Sequence, residues 1–240
     1  MMNKPYLDIL GKKVGLGESA KLSFNVAKLH TQNSIDVPII IERAKKPGPT
    51  VLITAGIHGD EVNGVEIVRQ IISKGINKPK KGTIICIPVI NVFGFIHMDR
   101  EFPDGRDLNR VFPGIKGGSL ASRVAFKLVT EIIPHADFII DFHTGGAGRF
   151  NAAQIRIIKN EPSLKEMANI FAPPFVLYSK NIDKSFRKTC HKLEVPILLF
   201  EGGKSFHIDN TTIGYTLIKN PSPCQLIHQK HGIEIPQQQT

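Results

Sequence analysis

The sequence predicts an α/β fold, a three-layer αβα arrangement built around a mixed, mainly parallel central sheet. Two observations carry this expectation. Short apolar runs, VLITAG (51–56), TIICIPVI (83–90), DFIIDFH (137–143) and VPILLFEGG (195–203), have the length and continuity of strands buried on both faces. Between them lie segments whose apolar residues recur at three- and four-residue intervals, the period of one helix face. Strands alternating with helices imply a sheet covered by helices on both sides. A chain of 240 residues has room for one sizeable domain of this kind.

The elements follow in order. SAKLSFNVAKLH (19–30) and IDVPIIIER (35–43) flank the polar break TQNS and read as a hairpin. KKPGPT (45–50) is Pro/Gly punctuation before the strand VLITAG. From Asp60, the residues Val62, Val65, Ile67, Val68, Ile71 and Ile72 mark a helix that stops by Gly75. TIICIPVI is a central strand. Residues 91–118 form a long loop rich in Gly, Pro and charge; such loops in compact domains are usually functional or disordered, and Phe93, Phe95, Phe102 and Phe112 argue against disorder. SLASRVAFKLVTEII (119–133) is a helix with Ser119 as N-cap and Pro134 beyond its end. AQIRIIK (153–159) is a strand, residues 163–171 and 183–193 are helical, and VPILLFEGG is a buried strand. Periodicity weakens after Asp209. The reading therefore divides the chain into a catalytic domain, 1–209, and a divergent or truncated tail, 210–240, with PQQQT as a frayed end.

Composition narrows the function. The apolar content of 41% and charged content of 22% are those of a soluble globular protein. No run approaches the roughly 18 to 20 apolar residues that span a bilayer, and MMNKPYLDILGKK lacks the apolar core of a signal peptide. A cytoplasmic protein without a membrane partner is expected. Cys86, Cys190 and Cys224 are widely spaced with no CxxC, which argues against a disulfide framework or a thiolate metal site. A net charge of +10 favours the approach of anionic substrates. The lysines are scattered, however, and the densest cluster, KPKKG (78–82), reads as a solvated turn, so no specific nucleic-acid partner is expected. Homo-oligomerisation is left open.

Chemistry concentrates in TAGIHGDEVNG (54–64). His58 follows one strand, His143 ends another and Glu201 a third. Ligands in open α/β sheets gather at those carboxyl ends. His58 and Glu61, three residues apart at a helix start, can give a metal two ligands and His143 a third. Catalytic zinc commonly takes three protein ligands and keeps one position open. Asp141 and Thr144 are the neighbours able to orient an imidazole. The plainer alternative makes Asp60 and Glu61 first-turn helix charges beside a capping histidine. Glu201, at the end of an apolar strand before two glycines, suits either a general base of raised pKa or a strand-end carboxylate bonded to backbone N–H groups. Arg100, Arg106 and Arg110 in the long loop are available to hold an oxyanion, or are exposed charges.

With GIHGDEVNG, PDGRDLNRVFPG, DFHTGG and LLFEGG in that order over about residues 20–205, the chain resembles the succinylglutamate desuccinylase/aspartoacylase family, a branch of the zinc carboxypeptidase-like hydrolases. The resemblance implies that His58, Glu61 and His143 hold one Zn²⁺ ion and that Glu201 activates a water. It implies that Asn109 and Arg110 hold the substrate carboxylate, and that an upstream arginine polarises the scissile carbonyl. Arg100 and Arg106 both precede the motif, and Arg100 is favoured because Arg106 stands so close to Asn109. The implied activity is zinc-dependent deacylation (amidohydrolysis) of an N-acyl amino acid or a similar small carboxylate-bearing amide or ester. Two further readings stay open: a zinc carboxypeptidase acting on short peptides or cell-wall fragments, and a catalytically silent binding protein. Family members continue into a C-terminal β-rich domain, and the tail here does not read like its start. Arg187 and Tyr178 fall in the stretch that selects substrate in the named enzymes, without mapping cleanly onto it.

Overall fold

An eight-stranded mixed sheet runs through the centre of the computed structural model, which describes residues 5–219. The chain opens with a small hairpin, β1 (Tyr6–Ile9) and β2 (Lys12–Gly15), then β3 (Ser19–Lys28) and β4 (Ser34–Arg43). There follow β5 (Lys46–Ala55), α1 (Val62–Ser73), β6 (Lys81–Ile87), α2 (Val92–His97) and a 3-10 turn, Leu108–Arg110. Helix α3 (Leu120–Lys127) leads to β7 (Phe138–Gly145), β8 (Asn151–Ile157), α4 (Pro162–Phe171) and β9 (Phe175–Tyr178). The last elements are α5 (Phe186–Lys192), β10 (Ile197–Lys204) and α6 (Asn210–Gly214). Strand order in the sheet is β3-β4-β6-β5-β7-β10-β8-β9. The central four, β6, β5, β7 and β10, run parallel, while β3, β4 and β8 join their neighbours toward the centre in antiparallel fashion.

The period of two along each strand makes the two cores. Leu52, Ile139 and Ile197 point to one face, where Val124 of α3 and Phe186 of α5 pack. Ile53, Ile140, Phe142, Leu198 and Phe200 point to the other, under Ile67 and Ile71 of α1, Phe171 of α4 and Ile213 of α6. Both faces are thus apolar, which is why the strands read as continuous runs, and the layers are αβα as expected. Each large side chain fully withdrawn in this way contributes about 1.5–3 kcal/mol.

Several boundaries differ from the sequence reading, each for a local reason. Helix α1 begins at Val62, because Asp60 and Glu61 still belong to the turn and Glu61 is the N-cap. Residues 91–118 are not loop throughout: Asn91 accepts a hydrogen bond from the Gly94 N–H (2.8 Å) and starts α2. Ser119 caps α3 as expected, but regular α-helix ends at Lys127 and wider turns continue to Ile132. Pro134 then lies inside a final 3-10 turn rather than beyond the helix. The hairpin β1–β2 and strand β9 escape the pattern because each strand is four residues long. Asp209 caps α6 through the Thr211 and Thr212 N–H groups, and Ile213 is buried, so the packed core runs past the residue at which the sequence reading divides the chain. The rest of the predicted tail, 220–240, lies outside the described residues. Among the described residues no helix is long and apolar enough to cross a membrane.

Candidate metal centre

Sheet register assembles the site. Thr54 of β5 lies opposite Asp141 of β7, and His143 of β7 lies opposite Glu201 of β10. Asp141 and His143 share the strand face of Ile139, and Glu201 that of Ile197, since residues two apart point the same way. Past the end of β5 the chain turns through His58 to Glu61, and two glycines allow the close approaches this requires. A Cβ on Gly59 would lie 1.9 Å from the Gly94 carbonyl carbon, and one on Gly64 would lie 2.7 Å from the Phe142 carbonyl oxygen. Helix α1 is therefore pressed onto β7, and its N-cap Glu61 meets His143.

The contacts are directional. His58 Nδ1 is 2.6 Å from Glu61 Oε1, and His143 Nδ1 is 2.8 Å from Glu61 Oε2. Their outer nitrogens face carboxylates: His58 Nε2 lies 3.1 Å from Asp107 Oδ1, and His143 Nε2 lies 2.8 Å from Asp141 Oδ2. The Thr144 N–H donates to Glu61 Oε2 (3.1 Å). His58, Glu61 and His143 are all buried, with candidate ligand atoms within 4.8 Å of one another.

Two imidazoles and a carboxylate form a donor set that zinc accepts. A carboxylate on each outer nitrogen fixes the tautomer and leaves Nδ1 for the cation. The residues present fit such an ion. The charge balance agrees: burial pulls both histidines toward neutrality, but Glu61 and Asp107 raise His58, and Asp141 and Glu61 raise His143 well above the ordinary 6.5. Burial would push Glu61 up, yet the two imidazoles hold it far below the usual carboxylate range. A cation entering here would displace protons that the neighbouring carboxylates hold on the imidazoles.

A match to the model of the succinylglutamate desuccinylase/aspartoacylase catalytic domain spans residues 47–218, more than half the chain. The chain belongs to this family. A curated relative, N-alpha-acetyl-L-2,4-diaminobutyric acid deacetylase from Halomonas elongata, is 32% identical over 114 residues, 47% of this chain and 33% of the relative. The alignment thus covers about a third of that relative's length. The succinylglutamate desuccinylase/aspartoacylase of Rhodobacter sphaeroides superposes with a TM-score of 0.76 at 24% identity, over 91% of this chain and 67% of the other. The product-bound ectoine utilization protein EutE (DoeB) of Ruegeria pomeroyi gives 0.75 at 22%, over 92% and 69%. At such identities the likeness to both structures is one of fold.

Glu201, Arg100, Asn109 and Arg110 line a cavity of about 470 Å³ that also opens onto His58, Glu61 and His143. Glu201 is on its wall, fixed at one oxygen by Asn151 Nδ2 (2.9 Å) and faced at the other by Arg156 Nη1 (3.5 Å). Burial raises the Glu201 pKa, Glu61 adds to the rise, and His143, Arg156 and Asn151 oppose it without cancelling it. Arg100 reaches the cavity, held by Asp107 Oδ2 at 2.9 Å and 3.4 Å from Glu61 Oε1. Arg106 does not: it is 55% exposed and faces Asp104 at 3.9 Å. Asn109 and Arg110 line the cavity; the Asn109 side-chain oxygen accepts from the Phe186 N–H (2.8 Å), leaving its amide nitrogen available.

A second cavity of about 450 Å³ is lined from both α4 and α5, and among the described residues Arg187 is the one it shares with this site. Arg187 donates to Ser179 Oγ and to the Lys180 carbonyl, and Tyr178 is exposed on β9. The sequence reading missed Asp107, Asn151 and Arg156. Asp107 stands at the head of the DLNR motif, which was its signal. Asn151 and Arg156 carried none, because only the antiparallel pairing of β8 with β10 brings them to Glu201.

Proposed function

We propose that this chain is a zinc-dependent deacylase that hydrolyses a small N-acyl amino acid or a similar carboxylate-bearing amide or ester. The convergence of both Nδ1 atoms on the two oxygens of Glu61, with Glu201 one strand away on the same cavity, carries the reading. A zinc ion held by His58, Glu61 and His143 would polarise the scissile carbonyl and lower the pKa of a water. Glu201 accepts the proton of the attacking water and delivers it to the leaving nitrogen; its raised pKa suits both halves of that task. Asn151 and Arg156 keep its carboxylate aimed into the cavity. Arg100 faces the charge that develops on the carbonyl oxygen. The Asn109 amide and the Arg110 guanidinium donate to the substrate carboxylate, a role that suits a cavity also lined by Arg149 and Lys180. The deacetylase among the relatives supports the reaction class.

Metal analysis of the purified chain tests the reading. About one zinc per chain is expected, lost when His58→Ala and His143→Ala are combined while the circular dichroism of the fold persists. Glu201→Gln should keep the zinc yet slow turnover of N-acyl amino acids by about 10²–10⁴. A folded chain that takes up no metal overturns the proposal, and faster cleavage of short peptides transfers it to a carboxypeptidase.

A further inference from the structure

Thr54 is the one polar side chain in the buried run Val51 to Ala55, and it is fully buried. Strand propensity explains a β-branched residue there, but valine would meet that need without a hydroxyl. The hydroxyl has a specific use. Thr54 Oγ1 lies 2.7 Å from Asp141 Oδ1, its register partner on β7, while Asp141 Oδ2 lies 2.8 Å from His143 Nε2. The Ile140 carbonyl, at 3.5 Å, is a much poorer acceptor for the same hydroxyl. Asp141 is itself 1% exposed and flanked along its strand by Ile140 and Phe142. Its carboxylate could turn about its own side-chain bonds unless both oxygens were engaged.

We infer that Thr54 is a positioning residue for the metal centre: by donating to Oδ1 it locks the Asp141 carboxylate, which in turn holds the His143 ring with Nδ1 toward Glu61. The inference rests on the metal reading above and extends it one residue outward, into the strand that precedes His58. One hydroxyl thereby ties β5, which delivers His58, to β7, which delivers His143, at the level of the ligands. Outer partners of a ligating histidine typically tune metal affinity by 10–100-fold. A group one step further out belongs at the lower end of that range.

Zinc affinity, read by competition with a chromophoric chelator, tests this without any substrate. Thr54→Val keeps the shape and removes the donor; its zinc dissociation constant should rise by about tenfold, while Thr54→Ser, which keeps the hydroxyl, stays within about twofold of the parent. In an Asp141→Ala background the Thr54→Val effect should vanish, because the group it acts through is gone. If Thr54→Val fails to fold, the comparison of Thr54→Ser with Thr54→Ala decides, since both lack the methyl and differ only in the hydroxyl. Equal affinities for the variants with and without the hydroxyl overturn the inference, as does an undiminished effect in the Asp141→Ala background. A parent chain that binds no zinc overturns the metal reading itself, and the inference with it.

Discussion

Arg100 and Arg106 leave the same loop for different surroundings. Arg100 contacts Asp107 through Nε (3.2 Å) and Nη2 (2.9 Å) and approaches Glu61, whereas Arg106 has only a long, exposed contact with Asp104. The first geometry orders a guanidinium beside Glu61. The second is a surface ion pair of the kind that contributes little. Arg100→Ala is therefore expected to lower kcat by about 10²–10³, the usual cost of removing one oxyanion donor, and Arg106→Ala to leave it within about twofold. Steady-state rates with zinc content measured in parallel check this; the reverse ranking would refute the assignment. At this scale much was legible. His58 and Glu61 are three residues apart, so their proximity follows from covalent geometry. Choosing between the two arginines was not so direct, because a loop of that length does not fix where a long side chain ends.

The elements bring those residues together through one tight seating. Gly64 on α1 rests against the backbone of Phe142, the residue before His143. An added methyl would sit 2.7 Å from the Phe142 carbonyl oxygen and 3.0 Å from its Cβ, so α1 would have to lift from β7. Glu61 caps α1 and would move with it, away from His143. Gly64→Ala should thus destabilise the fold by about 1–3 kcal/mol, as overpacking does, and should weaken zinc binding even at temperatures where the variant is folded. Denaturant titration and chelator competition read the two effects separately; a variant with unchanged zinc affinity would show that this contact does not set the site. Gly64 lies inside the segment the sequence predicts as a helix. The reason for a glycine there was not legible, since the helix period shows that a face is buried but not what it is buried against. The same limit hid α2, whose Gly94 weakens helix propensity and is needed because a Cβ there would lie 2.5 Å from the Asp99 carbonyl oxygen.

For the molecule as a whole, the metal site and stability are linked through pH. In the metal-free chain the pKa values of His58 and His143 are raised above the ordinary 6.5. Their contribution to stability is fully present below that value and is lost as pH rises through the raised ones. Glu61 and Asp107 are lowered, so theirs is present above the ordinary carboxylate range and lost only as pH falls through the depressed values. Zinc held by His58, Glu61 and His143 would replace the Nδ1 protons and remove the alkaline loss. Thermal melts between about pH 6 and about pH 9 should show Tm falling with pH in the metal-free chain, and a zinc-induced rise in Tm that grows with pH. A rise independent of pH would mean that the histidines do not exchange protons for metal.

The amino-acid sequence by itself determined the alternation of buried strands and helices, and with it the three layers and the placing of His58, His143 and Glu201 toward the carboxyl ends of strands, although β7 and β10 continue past His143 and Glu201. Those features depend on neighbours a few residues apart, and hydrophobic periodicity records them directly. The tertiary structure alone decided that His143 faces Glu201, that Thr54 meets Asp141, and that Asn151 and Arg156 flank the Glu201 carboxylate. Each of these pairs joins different strands, so it depends on strand order and register. Register is settled by how both apolar faces of the sheet fill, a property of the whole core that no local spacing encodes.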